Sequence, residues 1–414
     1  MPRLAAALLV AALVGASCGS ATGPRPSASA ATSMWTAVPT GVSETTPPAP
    51  IAAAPDVPGP TPAQAQWRRV SGLSAFRDPK GRSRNFDRVS LTTSGLIAVG
   101  SLDDGNGVSS TGVWTSTDGL SWKRAPDNPA FDGTFITDIL SLTTGATLLV
   151  GADETAVAPT AVILGGSDGE FSPIAAFANA RIFGITLMNH EFVAVGTTTD
   201  AKGNWAHSAI WRSSDGSTWK RTAGPGGAKA LSTLAVFDGH LLATSVSGAA
   251  AEALKMVTTF WSSTDGVHWS EGDRITGVNV TDLAAAGSVA VAVGAAYETD
   301  NAPHPAAWSS PDGTRWTKAL PPTLAAAAPE LGVLLGVFGS KGMSIAVGWT
   351  FGDPSRALAW ASLDGSSWAL LGDEAALDDA QPADVTVLDG RVVVVGGTGD
   401  PDSEVPLVLL GPTL

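Results

Sequence analysis

One phrase returns along this chain at intervals near fifty residues, and that period limits the possible folds more than any other feature. It reads "VWTSTDGLSWKR", "IWRSSDGSTWKR", "FWSSTDGVHWSE", "AWSSPDGTRWTK" and "AWASLDGSSWAL". Its aspartates are Asp118, Asp215, Asp265, Asp312 and Asp364, and a worn copy, "ILGGSDGEF", places Asp168 in the remaining gap. Successive aspartates are 50, 47, 50, 47 and 52 residues apart. Self-similarity at this period marks a propeller or a solenoid, in which each repeat is one supersecondary unit that buries its apolar surface only against its neighbours.

Each copy decodes as a hairpin. Alternating residues such as Val113, Thr115 and Thr117 suit a strand, Asp-Gly is a strong hairpin signal, and a second short strand follows. The aspartate carboxylate is expected to accept backbone N–H bonds within the turn, the glycine to take a positive φ, and the serine two places earlier to bond back to the backbone. Tryptophans four residues before and four after the aspartate are expected to pack on the hairpin. The phrase resembles the Asp-box of sialidase-like β-propellers, Ser-x-Asp-x-Gly-x-x-Trp, which caps the hairpin between the third and fourth strands of a blade. Here the interval is one residue shorter, as in Ser213, Asp215, Gly216 and Trp219. The resemblance spans about residues 67 to 414 and speaks for fold far more than for activity.

A second landmark counts the blades. "LIAVG" (96–100), "TLLVG" (147–151), "FVAVG" (192–196), "HLLATS" (240–245), "VAVAVG" (289–294), "SIAVG" (344–348) and "VVVVG" (392–396) recur in step with the boxes. Near-continuous apolar runs of this kind suit strands buried on both faces. The last unit, "VVVVGG" through "PLVLLGPTL", lacks a box and a fourth strand, while the repeats open on "QWRRVSG", which reads as a fourth strand. The expected fold is therefore all-β, a seven-bladed propeller of four-stranded antiparallel blades over residues 66–414. Trp67 to Val70 is expected to pair with Pro406 to Leu410 and close the ring, leaving no open blade edge.

The N-terminus carries an address. A basic start at Arg3, apolar residues from Leu4 to Ala16, and then Ser17-Cys18 read as an export signal too short to span a bilayer. "LVGASC" resembles a bacterial lipobox, which implies a signal peptide over residues 1–18, lipidation at Cys18 and retention on the outer surface of the cell membrane. Without lipidation the protein is secreted. Residues 19–65, rich in Pro, Ala, Ser and Thr, cannot bury enough apolar surface to offset chain entropy and are expected to act as a disordered tether. Cys18 is the one cysteine, which excludes an internal disulfide and cysteine-rich metal sites. A net charge of -14 and the lack of a basic stripe disfavour nucleic acid as a partner.

Of 14 tryptophans, ten occupy box positions and Trp67 an equivalent one, so these are expected to be structural. Trp205, Tyr297 and Trp349 fall between the "VAVG" strand and the box strand, on the face opposite the boxes, where a propeller carries its ligand loops. One link expected on that face holds Arg77, Lys80, Arg82, Arg84 and Arg88. Its "FRDP" resembles the sialidase Phe-Arg-Ile-Pro motif, whose arginine clamps the substrate carboxylate, and Arg181 and Arg356 are candidates to complete an anion clamp with Arg77. A sialidase mechanism also needs a tyrosine nucleophile activated by a glutamate, and a general acid. Tyr297 is the chain's one tyrosine, with Glu298 beside it. Adjacent residues seldom face one another, and the family places its tyrosine in a later blade.

Five scattered histidines show no ligand spacing, and "GDPDSE" (399–404) lacks the glycine and distal glutamate of a calcium loop, so neither metal nor cofactor is expected. The functional expectation is a non-catalytic surface lipoprotein that binds a protein, a glycan or a small anionic ligand on the face opposite the boxes. The alternative is a sialidase-like glycoside hydrolase.

Overall fold

The structure is a computed structural model that describes residues 66–78, 83–103, 109–248, 250–298, 301–319, 321, 331–340, 342–352, 354–372, 375–399 and 404–414. Cys18, the tether, Lys80, Arg82 and the middle of "GDPDSE" lie outside the described residues.

Seven four-stranded antiparallel sheets follow one another along the chain, each in the order of its sequence except the last. The inner strands of blades 1 to 7 are Ser83–Thr92, Thr134–Ser141, Ala180–Met188, Thr233–Phe237, Val278–Ala286, Gly332–Ser340 and Gln381–Leu388. In blade 7 the outermost strand is the N-terminal Arg68–Val70, antiparallel to Val405–Thr413 with Arg68 opposite Leu410 and Val70 opposite Val408. The ring thus closes by the pairing that the sequence predicts. Arg69 strengthens the closure by donating to the carbonyls of Asp378 and Asp379 in the link between blades 6 and 7.

The apolar core sits between blades. Seven buried clusters each join the sheets of two successive blades, and the second strands expected to be buried on both faces contribute to the clusters on either side. Ile97 and Val99 face blade 2, for example, while Leu96 and Ala98 face blade 7. The box tryptophans turn toward the preceding blade: Trp114 and Trp122 join the blade 7 strands, and Trp211 and Trp219 join blade 2. They are interblade core, with a wider role than flanking their own hairpins.

The glycine ending six of the seven "VAVG" strands has a steric cause. A Cβ on Gly196 would lie 2.0 Å from the carbonyl oxygen of Arg181, and one on Gly294 would lie 2.0 Å from that of Asn279. At each of the six the inner strand bulges, so that Ile182 faces Gly196 while Gly184, two residues on, faces Val195. Blade 4 has Ser245 at this position, and its inner strand begins at Thr233, opposite Thr244, so the ladder there ends before the place of the bulge. A bulge re-aims the next side chain. Here it brings Arg88, Asp138, Gly184, Asp282, Gly336 and Asp384 to equivalent places on the strands around the axis.

Candidate functional site

With every strand antiparallel to its neighbour, the turns after the first and third strands share one end of the ring. The second-to-third connections and the links between blades share the other. The boxes occupy the first end and five of them are near-identical. In blade 3 the Asp215 carboxylate accepts from the N–H of Ser217 at 2.8 Å and of Thr218 at 2.7 Å, while the Ser213 hydroxyl oxygen accepts from Gly216 N–H at 2.9 Å. Trp219 donates its indole N–H to the Gly216 carbonyl at 3.0 Å, and Gly216 sits at φ 73°. Asp118, Asp265, Asp312 and Asp364 repeat the carboxylate contacts. The Arg315 and Thr314 N–H groups hold the Asp312 carboxyl down at about 2. Every one of these donors is local to its turn, so the five aspartates are turn-formers.

Asp168 differs. It takes φ 52° with Gly169 at 90°, forming a tight two-residue turn, and among the described residues its carboxylate accepts from the Ser94 hydroxyl of blade 1 alone. The outer strand that follows, Glu170–Ala178, has nine residues, against two in blade 1.

At the opposite end the predicted ligand residues fall at strand ends in several blades. Trp205 begins the third strand of blade 3, Tyr297 ends the second strand of blade 5, and Trp349 and Arg356 flank the connection in blade 6. The three aromatic side chains are half-buried. Trp205 packs against Phe183 at 5.4 Å between ring centroids, and Trp349 against Phe351 at 4.8 Å.

The arginines are distributed rather than gathered. Arg181, buried in blade 3, makes a two-pronged ion pair with Glu154 at 2.6 and 2.7 Å and donates to the Gly203 carbonyl. Arg356 lies in blade 6 with Nε 3.5 Å from Asp378. Arg77 is exposed in the segment before blade 1, and Asp78 beside it is buried and paired with Arg124 at 3.0 Å. Blades 3 and 6 stand far apart around a seven-membered ring, so Arg181 and Arg356 belong to different sectors of this face. Glu298 approaches the Lys318 ammonium at 3.4 Å, and burial pushes the Tyr297 phenol up.

Arg88 is a correction to the sequence reading. Expected in a surface link, it stands instead on the inner strand of blade 1, where the carboxylates of Asp384, Asp282, Asp138 and Asp87 raise its pKa against the opposing cost of desolvation. Carboxylates from blades 7, 5 and 2 act together on one guanidinium only near the axis. This axial set is the group that sequence reasoning missed. A signal existed: each member stands a short, nearly constant distance before a "VAVG" glycine.

Burial pushes the carboxyls of Asp138 and Asp87 up to about 6 and that of Asp282 to about 7, and raises that of Asp384. Nearby Asp384 adds to the Asp282 shift, while Arg88 opposes it. All five side chains are half-buried. Among the described residues no group of His, Cys, Asp or Glu is arranged to hold a metal ion, and no helix is long and apolar enough to cross a membrane.

The fold and this arrangement define a closed seven-bladed propeller. No family model and no curated protein matches the chain. Among solved structures it is similar to the uncomplexed Pyrococcus horikoshii acylaminoacyl peptidase, with a TM-score of 0.50 at 8% identity over 80% of this chain and 53% of that one. It is also similar to the Trypanosoma rangeli sialidase in complex with the inhibitor DANA (TM-score 0.46, 12% identity, 83% of this chain, 59% of that one). A third is the Penicillium chrysogenum alpha-L-arabinanase complexed with arabinobiose (TM-score 0.47, 10% identity, 84% and 98%). The chain spans little more than half the length of the peptidase and the sialidase. At these identities the likeness concerns the fold alone.

Proposed function

We propose that the protein is a ligand-binding scaffold on the outer surface of a bacterial membrane, held by lipid at Cys18 and lifted by the tether. Its propeller takes a glycan, a protein or a small anionic ligand on the face that carries the second-to-third connections. The observation that carries this reading is the state of the polar groups on that face. A tyrosine nucleophile needs a partner that lowers its pKa, whereas burial raises that of Tyr297 and Glu298 is drawn toward Lys318. Arg181 is already neutralised by Glu154. Trp205 and Trp349, each braced by a phenylalanine, remain half-exposed and suit stacking on a sugar ring or an apolar side chain. The alternative of a sialidase-type hydrolase rests on the propeller fold alone.

The test takes protein released into the medium by Cys18→Ser and screens it against surface glycans and extracellular proteins. The expected result is saturable binding that weakens about tenfold, roughly 1.4 kcal/mol, in the Trp205→Ala/Trp349→Ala double variant. Retention of Cys18→Ser on the membrane would remove the anchor. Binding indifferent to both tryptophans would remove the face, and turnover of a sialoside that is lost in Tyr297→Phe would establish the hydrolase instead.

A further inference from the structure

Arg181 is engaged within the fold, and what it ties together is a surface. Its Nε–H and Nη2–H meet the two Glu154 oxygens in the second-to-third connection of blade 2, and its Nη1–H reaches the Gly203 carbonyl in that of blade 3. The two connections also touch directly: a Cβ on Gly203 would lie 2.3 Å from the Val157 carbonyl oxygen. Within the blade 3 connection the Asp200 carboxylate accepts from Lys202 N–H, Asn204 N–H and the Asn204 side-chain amide at 2.8 to 3.0 Å. Trp205 follows at once, so the backbone that carries it is fixed from two blades before any ligand arrives.

Two polar groups beside this indole are unanswered. Among the described residues neither the Trp205 indole N–H nor the Thr199 hydroxyl has a hydrogen-bond partner, although both atoms are buried. Thr199 is 7% exposed and stands opposite Trp205 in the antiparallel pair, which puts the two side chains on one side of the blade. Phe183, the residue inserted at the bulge, packs on the indole at 5.4 Å and a tilt of 48°. A buried donor without an acceptor is rare in a native fold and calls for a water, an ion or a ligand.

Resting on the reading that this face takes the ligand, we propose that Trp205, Thr199 and Phe183 form a subsite for one ring of an uncharged saccharide, and that Glu154 sets the preference for an uncharged ring by neutralising Arg181.

Three features select this chemistry. A half-exposed indole suits the C–H face of a sugar ring. An indole N–H only donates, whereas a hydroxyl both donates and accepts, so one sugar hydroxyl lodged between the two groups accepts from Trp205 and shares a bond with Thr199. An apolar protein side chain would stack equally well and leave both groups unanswered. A carboxylate would accept from both, yet the neighbouring guanidinium is already held by both Glu154 oxygens, and a charge without a partner costs far more to bury than a hydroxyl. Both atoms are covered while the indole rests on Phe183. The ties between the connections fix the backbone, and rotation of the indole about its side-chain bonds uncovers them.

The experiment titrates the full chain, in a detergent without a sugar headgroup, with neutral oligomers of glucose, galactose and arabinose, and with sialyllactose and oligogalacturonate as charged counterparts. A neutral oligomer is expected to bind saturably and the charged ones about tenfold more weakly. Thr199→Val is expected to weaken the neutral oligomer about threefold to tenfold while melting at or above the native temperature, since it removes a buried hydroxyl that the free protein leaves unpaired. Trp205→Phe keeps an aromatic face and drops the N–H. It is expected to weaken binding to a similar degree, and the nitrogen-15 indole signal that it lacks is expected to shift in the native chain at saturation. Glu154→Gln is expected to tighten sialyllactose about tenfold by leaving Arg181 uncompensated. An unchanged sialyllactose affinity there would overturn the role given to Glu154. Tighter binding of the charged sugars by the native chain, or a Trp205 indole signal that saturating neutral sugar leaves in place, would overturn the subsite. A neutral sugar indifferent to Thr199 and Trp205 but lost in Trp349→Ala overturns the subsite and leaves the face, as does binding of a protein in place of every sugar. A sugar indifferent to all three residues removes the face itself. Should Thr199→Val not fold, the indole signal of the native chain decides alone.

Discussion

Ser116, Ser213, Ser263, Ser310 and Ser362 each stand two residues before a box aspartate, and Gly166 stands there in blade 2. That one hydroxyl separates two kinds of turn. With it, the glycine N–H has an acceptor and the aspartate side chain turns back over the following two residues. Without it, the backbone collapses to a two-residue turn with Asp168 in the left-handed region. Asp215→Ala is accordingly expected to cost about 1 to 2 kcal/mol by stranding the Ser217 and Thr218 donors. Asp168→Gly is expected to be neutral or slightly stabilising, because glycine takes φ 52° without penalty. Denaturant unfolding of both variants checks the contrast, and equal losses would show that Asp168 serves as a sixth box. The sequence lettering showed the five good copies plainly; it hid the change in the sixth because Asp-Gly survives while the residue that decides the turn type is two places upstream.

At the scale of the strand, the second strands were legible and the inner ones were not, for a physical reason. A strand such as Val289–Tyr297 is covered on both sides by neighbouring blades and reads as an unbroken apolar run. An inner strand meets blades on its flanks and the channel at its centre, and its bulge shifts the alternation by one residue midway. Thr281-Asp282 therefore looks like loop in the sequence although it lies within the strand Val278–Ala286. The same cause misplaced Arg88. The bulge depends on the facing glycine, so Gly196→Ala is expected to cost more than about 2 kcal/mol through collision with the Arg181 carbonyl. A melting temperature within a degree or two of the native protein would mean that the bulge relaxes freely.

For the whole molecule, closure and charge act together. The strand Arg68–Val70 completes the one blade that the C-terminal repeat leaves unfinished, so the chain enters the propeller at the outermost strand of the closing blade. The ring holds two populations of carboxyl that titrate in opposite directions. Backbone N–H groups lower the box aspartates, those of Arg315 and Thr314 holding Asp312 at about 2. Burial raises the axial ones, Asp138 to about 6 and Asp282 to about 7. A lowered carboxyl stabilises the fold above the unfolded value of 3.8, and that contribution is lost as pH falls toward 2. A raised one contributes fully below 3.8, and that contribution is lost as pH climbs through 6 to 7. Stability is therefore expected to peak near pH 4 and to decline on both sides, with the acid limb governed by the boxes and the neutral limb, from about pH 4 to 7, by the axial carboxyls. Removing the Asp265 and Asp312 carboxyls should flatten the acid limb alone, and Asp282→Asn the neutral limb alone. Melting curves from pH 2 to 9 on the native chain and these variants measure both limbs. A single optimum above pH 7, or a box substitution that alters the neutral limb, would show that the two populations are not separate.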